Sequence, residues 1–292
     1  MNIKENFYLL IATFFWALGL IIGKFCSAEM PALTLTCLRY LIAGIGIAIV
    51  YYYKNRELKV EKKDLFYLVM LSFWGIVLNG VFFFYGIKIT SSVNTAIISS
   101  TTPMIVCILG FIFLKEKITK KNILSVIVSI LGIIFLLING DLSRLLNITF
   151  NKGDLIILGA VISNSIYIVG SKKMIKKYNT QKILAYVFLI TSLILSPSLI
   201  FERNLYTLGR VSTKAILSLL YMAIFSSLFA FLLQQKGIEK LGAIKVAVYT
   251  NLIPIYSIIL SSIILNETIS FIQIISMCFV LLAILINLKD KF

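Results

Sequence analysis

The sequence predicts an all-α membrane protein with ten transmembrane helices, arranged as two inverted repeats of five helices each. Three observations lead to this fold class: the composition, a series of ten apolar runs, and a motif that occurs twice. Of the 292 residues, 60% are hydrophobic and 14% are charged, with a mean hydropathy of +0.99. Soluble domains carry about 45–50% apolar and about 25% charged residues, so the composition excludes a soluble enzyme.

The charge is strongly basic, with 28 Lys and Arg against 12 Asp and Glu and a formal net charge of +16. A basic balance can indicate nucleic-acid binding. A chain this apolar, however, has little water-exposed surface on which a basic nucleic-acid-binding patch could form. Nucleic acid is therefore excluded as a partner. The basic residues are expected in the loops between membrane spans.

The sequence contains no histidine, which excludes a Ser-His-Asp triad, a histidine metal ligand and a histidine proton shuttle. The four cysteines form no C-x-x-C pair and are expected to be small core residues, although Cys26 and Cys37 could pair outside the membrane. We therefore expect no metal, no other cofactor and no enzymatic activity.

The apolar runs predict ten helices, because about 20 apolar residues are needed to cross about 30 Å of hydrocarbon and lipid cannot satisfy an open sheet. The first run is interpreted as an uncleaved span rather than a signal peptide, because it is longer than a signal sequence. The runs are Phe7–Gly23, Leu33–Tyr53, Leu65–Tyr85, Asn94–Leu114, Asn122–Ile138, Asp154–Gly170, Ile183–Phe201, Ala215–Leu233, Ala243–Leu265 and Phe271–Leu288.

The distribution of basic residues predicts the orientation. If the N-terminus is cytoplasmic, twenty Lys and Arg lie in inner segments and seven in outer segments, while Arg39 lies within a span. Basic residues are enriched in cytoplasmic loops. The sequence therefore predicts a multi-pass protein of the plasma or inner membrane with both termini in the cytoplasm.

A gapless motif occurs in both halves of the chain, at a constant offset of about 150 residues. It consists of Gly86, Ile87, Ala96, Pro103, Glu116, Lys117, Ile118 and Thr119, and again of Gly237, Ile238, Ala247, Pro254, Glu267, Thr268, Ile269 and Ser270. A coarser match aligns Ala12, Trp16 and Lys24 with Ala160, Asn164 and Lys172.

The duplication predicts two domains: residues 1–140 hold the first repeat, residues 141–153 an outer connecting loop, and residues 154–292 the second repeat. Each repeat has five spans, an odd number, so the second copy must insert upside down. Inverted repeats around a site at the membrane midplane are the architecture of secondary transporters.

The duplicated motif resembles the signature of the EamA domain in the drug/metabolite transporter superfamily, over essentially the whole chain. The resemblance rests on Tyr85-Gly86-Ile87-Lys88, Ala96-Ile97-Ile98-Ser99, Pro103 and Leu114-Lys115-Glu116-Lys117-Ile118, and on Gly237-Ile238, Asn251-Leu252-Ile253-Pro254 and Leu265-Asn266-Glu267. It implies a ten-helix carrier, often an exporter of amino acids or related metabolites. A central cavity would lie between helices 3, 4, 8 and 9, and helices 5 and 10 would pack together. Lys245 departs from the pattern, because many members have a small residue there.

Pro103 and Pro254 lie about halfway along helices 4 and 9, at the same position of the two repeats. Proline removes a backbone hydrogen bond and frees a carbonyl group four residues earlier. We expect both prolines to act as hinges for alternating access; the alternative is a static kink.

Polar and aromatic residues within the runs are candidates for lining a substrate cavity. For the asparagines the reason is that an amide side chain exposed to lipid costs free energy, so it should face protein or a water-filled cavity. For Ser and Thr the alternative is a hydrogen bond from the hydroxyl to a backbone carbonyl of their own helix. For Tyr and Trp the alternative is a place in the belt of aromatic residues at the membrane–water interface. The candidates are Trp16, Asn79, Phe83, Thr95, Ser99, Thr102, Asn164, Tyr167, Tyr249, Asn251 and Tyr256.

Three charged positions lie within or beside the spans. Arg39 lies six residues beyond Leu33, about 9 Å of helical rise, so it either extends outward to the interface or neutralises a substrate carboxylate. Glu116 and Glu267 are expected to be structural, because each precedes a hydroxyl residue that can cap the next helix.

The function that these observations predict is a secondary transporter, moving a small metabolite such as an amino acid across the membrane by alternating access, with export the expected direction. The partners are the small-molecule substrate and the lipid bilayer, and a homodimer is left open. The absence of a mid-membrane acid or histidine favours facilitated export or exchange over proton coupling. A membrane scaffold or assembly subunit is the second hypothesis, and an intramembrane lipid-modifying enzyme is a less favoured third.

Overall fold

The computed structural model describes residues 3–90, 92–138, 141, 151–202, 211–265 and 268–288. These ranges contain ten helices that are long and apolar enough to cross a membrane, and regular structure within them is entirely helical. In chain order the helices are α1 (Ile3–Ser27), α2 (Ala32–Asn55), α3 (Lys62–Gly86), α4 (Asn94–Leu114), α5 (Lys120–Ile138), α6 (Lys152–Ile175), α7 (Thr180–Phe201), α8 (Thr213–Leu241), α9 (Ala243–Ile264) and α10 (Phe271–Leu288).

The predicted all-α, ten-span fold class is confirmed, and each apolar run corresponds to one helix. Several helices are longer than their runs. The eighth run was predicted to end at Leu233, but α8 continues to Leu241 and includes Lys236 and Lys240. The difference arises because hydropathy marks the part of a helix that suits lipid, whereas backbone hydrogen bonding continues into the polar flank.

Helices α4 and α9 are each interrupted just before a proline. Regular α-helix in α4 stops at Ser100 and resumes at Thr102, and in α9 it stops at Tyr249 and resumes at Leu252. Pro103 has no N–H to donate to the carbonyl of Ser99. The hydroxyl of Thr102 donates to that oxygen instead, at 2.6 Å. The break in α4 is therefore stabilised by its own side chain.

Helices α3 and α8 each contain a π-helical segment, Phe73–Leu78 in α3 and Met222–Phe229 in α8. The two segments overlap when the repeats are aligned on their motifs. Hydropathy did not predict them, because a wider helical turn leaves the apolar composition unchanged. Segments of this kind are frequent at functional sites.

The helices pack in a reciprocal pattern. Helix α1 lies against α8 and α9, α6 lies against α3 and α4, α2 packs against α7, and α5 packs against α10. Exchanging the halves, by adding five to each helix number in the first half and subtracting five in the second, converts α1–α8 into α6–α3 and α1–α9 into α6–α4. The same exchange leaves α2–α7 and α5–α10 unchanged. The packing is thus the one expected if the five-helix unit is duplicated.

The repeated glycines of the motif make equivalent contacts between the halves. A Cβ atom on Gly86 would lie 2.7 Å from Ile157 Cγ1, and a Cβ atom on Gly237 would lie 2.7 Å from Leu9 Cδ2. Ile157 and Leu9 lie at matching positions of α6 and α1. Small residues let transmembrane helices approach closely, so these glycines set the α3–α6 and α8–α1 spacing.

All four cysteines are free thiols: Cys26, Cys37 and Cys107 are buried and Cys278 is exposed. The prediction of small core residues is confirmed for the three buried cysteines and is wrong for Cys278, because an apolar thiol suits the lipid-facing surface of a span as well as the core. The alternative disulfide between Cys26 and Cys37 is not formed. The Sγ of Cys37 lies 3.4 Å from the carbonyl oxygen of Ser192 on α7.

Candidate functional site

Five aromatic side chains meet around Phe231 of α8. The centroid of its ring lies 5.6 Å from that of Trp16 on α1, 6.3 Å from Tyr40 on α2, 5.7 Å from Tyr167 on α6 and 5.5 Å from Phe188 on α7. We call these five residues the aromatic cluster. Its members come from both halves of the chain. Of the helices that contribute to it, only α8 is among the four (3, 4, 8 and 9) that the family resemblance places around the central cavity.

The polar ends of the cluster are held by α8. The indole N–H of Trp16 donates to the carbonyl of Ser226 at 2.9 Å. Gln235 Nε2 donates to the hydroxyl of Tyr167 at 2.8 Å, and Tyr167 is only 1% exposed. On α3, a Cβ atom at Gly75 would lie 3.0 Å from Tyr167 Cγ, so this glycine leaves room for the ring. The rings are therefore held on several sides.

Several buried polar atoms without a hydrogen-bond partner belong to residues that are close, along the helices, to members of the aromatic cluster. Six such side-chain atoms occur in the described residues, and four of them belong to residues within about one helical turn of a cluster member. These four are Arg39 Nε, Thr191 Oγ1, Ser227 Oγ and Gln235 Oε1. Buried polar atoms normally have a partner, so these four atoms indicate a place for water or a ligand.

Arg39 lies beside the cluster. Its Nη2 donates to the hydroxyl of Tyr40 at 2.9 Å, and its Cζ lies 4.6 Å from the centroid of the Tyr40 ring. Tyr40 is 3% exposed and also packs against Phe188. The guanidinium thus lies over a buried ring that belongs to the aromatic cluster.

Three predicted site residues form hydrogen bonds between helices away from the cluster. Asn79 Nδ2 donates to the carbonyl of Ala160 at 2.9 Å, between α3 and α6. Asn251 Nδ2 donates to Ser129 Oγ at 2.6 Å, between α9 and α5. The Tyr249 hydroxyl donates to Asn6 Oδ1 at 2.7 Å, between α9 and α1.

The other predicted residues are distributed as follows. Trp16 and Tyr167 belong to the aromatic cluster. Tyr256 packs edge-on against Phe14 with ring centroids 5.7 Å apart, and Phe83 lies 6.1 Å from Phe84. Asn164 is half-buried and its side chain forms no hydrogen bond with a described residue. Three further residues lie on the interrupted helix α4: Thr95, Ser99 and Thr102.

Sequence reasoning missed Tyr40, Phe188, Phe231 and Gln235. The first three lie in ordinary apolar runs, where nothing local distinguishes an aromatic residue that faces the bundle from one that faces lipid. Gln235 lay just beyond the predicted end of the eighth run, so it was assigned to a loop. Its 0% exposure places it in the interior of the protein.

An ion pair joins the two halves of the chain at one end of the bundle. We call this end the basic end; it comprises the start of α1 and the connections 56–61, 115–119, 176–179 and 242. The ammonium of Lys172, at the end of α6, pairs with Glu116 Oε1, just after α4. The same oxygen lies 3.5 Å from the amide nitrogen of Ala243, at the start of α9. Glu116 thus connects α4, α6 and α9, beyond the local capping context expected for it.

A second polar contact joins the halves at the opposite end. The carboxylate of Asp154, in the first turn of α6, accepts hydrogen bonds from Thr90 Oγ1 and, at 3.1 Å, from Asn94 Nδ2. It also accepts the amide N–H of Asn151 at 2.7 Å. Each carboxylate oxygen is therefore occupied by protein donors, and this site is structural.

A cavity of about 160 Å³ lies between the last turns of α9 and the start of α10. It is lined by Ser257, Ile258, Ser261, Ser262, Thr268, Ile269 and Gln273. It contains none of the predicted site residues. In the part of the chain that the structure describes, no group of three or more His, Cys, Asp or Glu residues is placed to hold a metal ion.

The chain is similar to transporters from bacteria and archaea. It is 27% identical to "Uncharacterized transporter YetK" of Bacillus subtilis, over 94% of this chain and 83% of that protein. It is 25% identical to an "Uncharacterized transporter" of Archaeoglobus fulgidus, over 99% of this chain and 100% of that protein. A solved crystal structure covers 100% of both chains with a TM-score of 0.81 at 14% identity, which shows a shared fold.

The sequence profile described as "EamA-like transporter family" matches residues 3–138 and again residues 151–289. The two matches together cover most of the chain, and they coincide with the two groups of five helices. The resemblance inferred from the duplicated motif is confirmed. This protein is a membrane transporter and belongs to the EamA-like transporter family.

Proposed function

We propose that the protein exports a small polar or amphipathic metabolite, an amino acid or a related compound, by alternating access. The observation that carries this proposal is the aromatic cluster with its four unpartnered polar atoms. Residues of both halves contribute to it, as required of a site at the interface between repeats.

The physical argument rests on the cost of unsatisfied polar groups. A buried polar atom without a partner costs about 1–3 kcal/mol, and lipid offers no replacement partner. Arg39, Thr191, Ser227 and Gln235 carry such atoms. A polar substrate, or water in its absence, offsets this cost, while the aromatic rings provide an apolar surface for the rest of the molecule.

The interrupted helices support a moving carrier. We propose that α4 and α9 bend at Pro103 and Pro254, and that the π-helical segments of α3 and α8 allow the halves to rock around the cluster. The Glu116–Lys172 ion pair would then close the basic end in the conformation described here. Opening that end requires the pair to separate.

We propose further that the basic end faces the cytoplasm and that the protein lies in the plasma or inner membrane. This orientation follows from the concentration of Lys and Arg in the connections at that end. A protease-protection or cysteine-labelling experiment on intact cells measures it directly, with modification of an introduced cysteine at Glu57 from outside as the contrary result.

The test of the function is counterflow in liposomes that contain only the purified protein, preloaded with unlabelled amino acids and diluted into labelled ones. We expect wild-type protein to accumulate label. Phe231→Ala should reduce the initial rate by about tenfold, which corresponds to ~1.4 kcal/mol. The matched control is Phe113→Ala, because Phe113 is 72% exposed on the bundle surface and its loss should leave the rate within about twofold.

Two outcomes contradict the proposal in different ways. If nucleotide derivatives, sugars or cationic drugs are moved but no amino acid is, the substrate class is wrong and the transport mechanism stands. If none of these compounds is moved by the purified protein, the transport proposal fails and a role as a scaffold or assembly subunit takes its place.

A further inference from the structure

Arg39 is the charged residue farthest from the end of any described span. It lies in α2 (Ala32–Asn55), about 10 Å of helical rise beyond Ala32. A charged group at such depth is costly unless it is paired or solvated.

No carboxylate in the described ranges pairs with Arg39. An acidic residue, Glu202, does lie at the same end of α2. Its Oε2, however, accepts hydrogen bonds from the amide and the hydroxyl of Thr34, at 2.8 and 2.7 Å. Among the described residues the guanidinium therefore has one hydrogen-bond partner, the neutral Tyr40 hydroxyl, and its Nε is buried without a partner.

The contact of Arg39 with Tyr40 places the charge beside a member of the aromatic cluster. Tyr40, over which the guanidinium lies, is itself in ring contact with Phe188 and Phe231. A guanidinium stacked on an aromatic ring still offers its in-plane N–H groups to an acceptor. The guanidinium N–H groups of Arg39 that do not contact Tyr40 fit an anionic group with two oxygens, which arginine binds with a pair of parallel hydrogen bonds.

We infer that Arg39 is the anion-binding residue of the transport site, and that it selects substrates with a carboxylate or another anionic oxygen group. Every amino acid carries such a group in its α-carboxylate. This inference rests on the proposed function, because it assumes that the aromatic cluster is the substrate site.

Ligand binding can be measured through Trp16, which belongs to the cluster and is one of only two tryptophans. The other, Trp74, is 45% exposed and can be removed by Trp74→Phe. In this background we expect some of the twenty L-amino acids, titrated one by one, to change the fluorescence of the purified full-length protein. The C-terminal amide of each binder, which lacks the carboxylate, should bind at least about tenfold more weakly.

Arg39→Gln should lower the affinity for the acid by about tenfold or more and leave the affinity for the amide within about twofold. Arg39→Lys keeps the charge and should retain part of the preference for the acid. The matched control is Lys236→Gln, since Lys236 also lies inside a span with its ammonium 5.6 Å from a tyrosine ring, that of Tyr8, but outside the cluster. This control should change neither affinity.

Inorganic phosphate is the third probe. Phosphate binding that depends on Arg39, without amino-acid binding, would assign the anion to phosphate compounds and keep the role of Arg39. Equal binding of acid and amide by the wild type, or unchanged acid binding in Arg39→Gln, would overturn the inference. So would the absence of any response to all three probes. If Arg39→Gln fails to fold, the inference is still tested by the affinities of the wild type and of Arg39→Lys for the acid and the amide.

Failure of this inference is distinguishable from failure of the transport proposal. Counterflow that is unaffected by Arg39→Gln refutes the role of Arg39 and leaves the transporter. Arg39-dependent binding without counterflow keeps the anion site and refutes transport by the isolated protein.

Discussion

Glu116 and Lys172 form an ion pair that ties the segment after α4, in the first half of the chain, to the end of α6, in the second half. Both side chains are largely buried, with 15% of Glu116 and 21% of Lys172 exposed. The pair also contacts the start of α9 through the amide of Ala243. One contact thus links three of the helices that must separate if the basic end opens.

Reversal of either charge in this pair should destabilise the protein. We expect Glu116→Lys or Lys172→Glu to cost about 1–3 kcal/mol, because each leaves two like charges in a partly buried contact. In a chain of this size that cost lowers the melting temperature by roughly 3–8 °C. The double reversal should recover most of the loss, as measured by thermal unfolding in detergent.

Lys63→Glu is the control for this prediction, because the Lys63–Glu61 pair is exposed to solvent. This substitution should change the melting temperature by less than about 2 °C. A double reversal that is no more stable than the single variants would show that Glu116 and Lys172 do not interact in the folded protein.

Replacement of the motif glycines should weaken the contacts between the halves. Gly86→Val and Gly237→Val place methyl groups where Ile157 and Leu9 already lie, so we expect each to cost about 1–3 kcal/mol. Gly80→Val serves as the matched control, because apart from its chain neighbours and the backbone of its own helix no atom lies within 4 Å of its Cβ position. Thermal unfolding compares the three, and equal effects at Gly80 and Gly86 would contradict the packing argument.

Asn251 and Asn164 should behave differently when each is changed to leucine. Asn251→Leu breaks the bond to Ser129 and leaves that fully buried hydroxyl without its partner, at an expected cost of about 1–3 kcal/mol. Asn164→Leu removes no hydrogen bond to a described residue, so stability should change little. If Asn164 faces substrate, the counterflow rate should fall while the melting temperature stays constant; unchanged counterflow would remove Asn164 from the site.

Tyr167 and Gln235 should be energetically coupled. Tyr167→Phe removes the acceptor of the Gln235 amide, and Gln235→Leu removes the donor to the Tyr167 hydroxyl. Since both groups are buried, the double-mutant cycle should give a coupling of about 0.5–1.5 kcal/mol. Denaturant unfolding or melting curves measure it, and additive effects would mean that the bond does not stabilise the cluster.

The prolines should affect transport more than stability. With alanine at position 103 the backbone amide can donate to the carbonyl of Ser99, which the Thr102 hydroxyl now occupies, and α4 can straighten. We expect Pro103→Ala, Pro254→Ala and their combination to fold with equal or higher melting temperatures. Counterflow by the double variant should fall at least about fivefold, or ~1 kcal/mol. Unchanged rates would leave the prolines as static kinks.

Parts of the candidate site could be predicted from sequence, and the reasons differ from residue to residue. Tyr167 was identified because it lies on one helical face with Asn164, and Trp16 because it occupies the repeat position of Asn164. Phe231 and Phe188 were not, because one phenylalanine in an apolar run looks like any other. Gln235 was missed because the predicted run ended at Leu233, two residues too early.

The sequence by itself determined the number of spans, the duplication and the family. These are properties of single segments: a run of apolar residues is hydrophobic whatever its neighbours are, and a repeated motif is visible without a fold. The sequence also marked Pro103 and Pro254 as positions where a helix cannot continue its hydrogen bonding.

Only the tertiary structure decided which polar and aromatic groups meet. Trp16 and Phe231 are far apart in the chain, as are Tyr40 and Phe188, and their contacts depend on the rotation and depth of five helices. Hydropathy carries no information on these, because lipid and the protein interior are equally apolar. Close packing at glycines and a few hydrogen bonds set the arrangement, and these exist only once the helices have assembled.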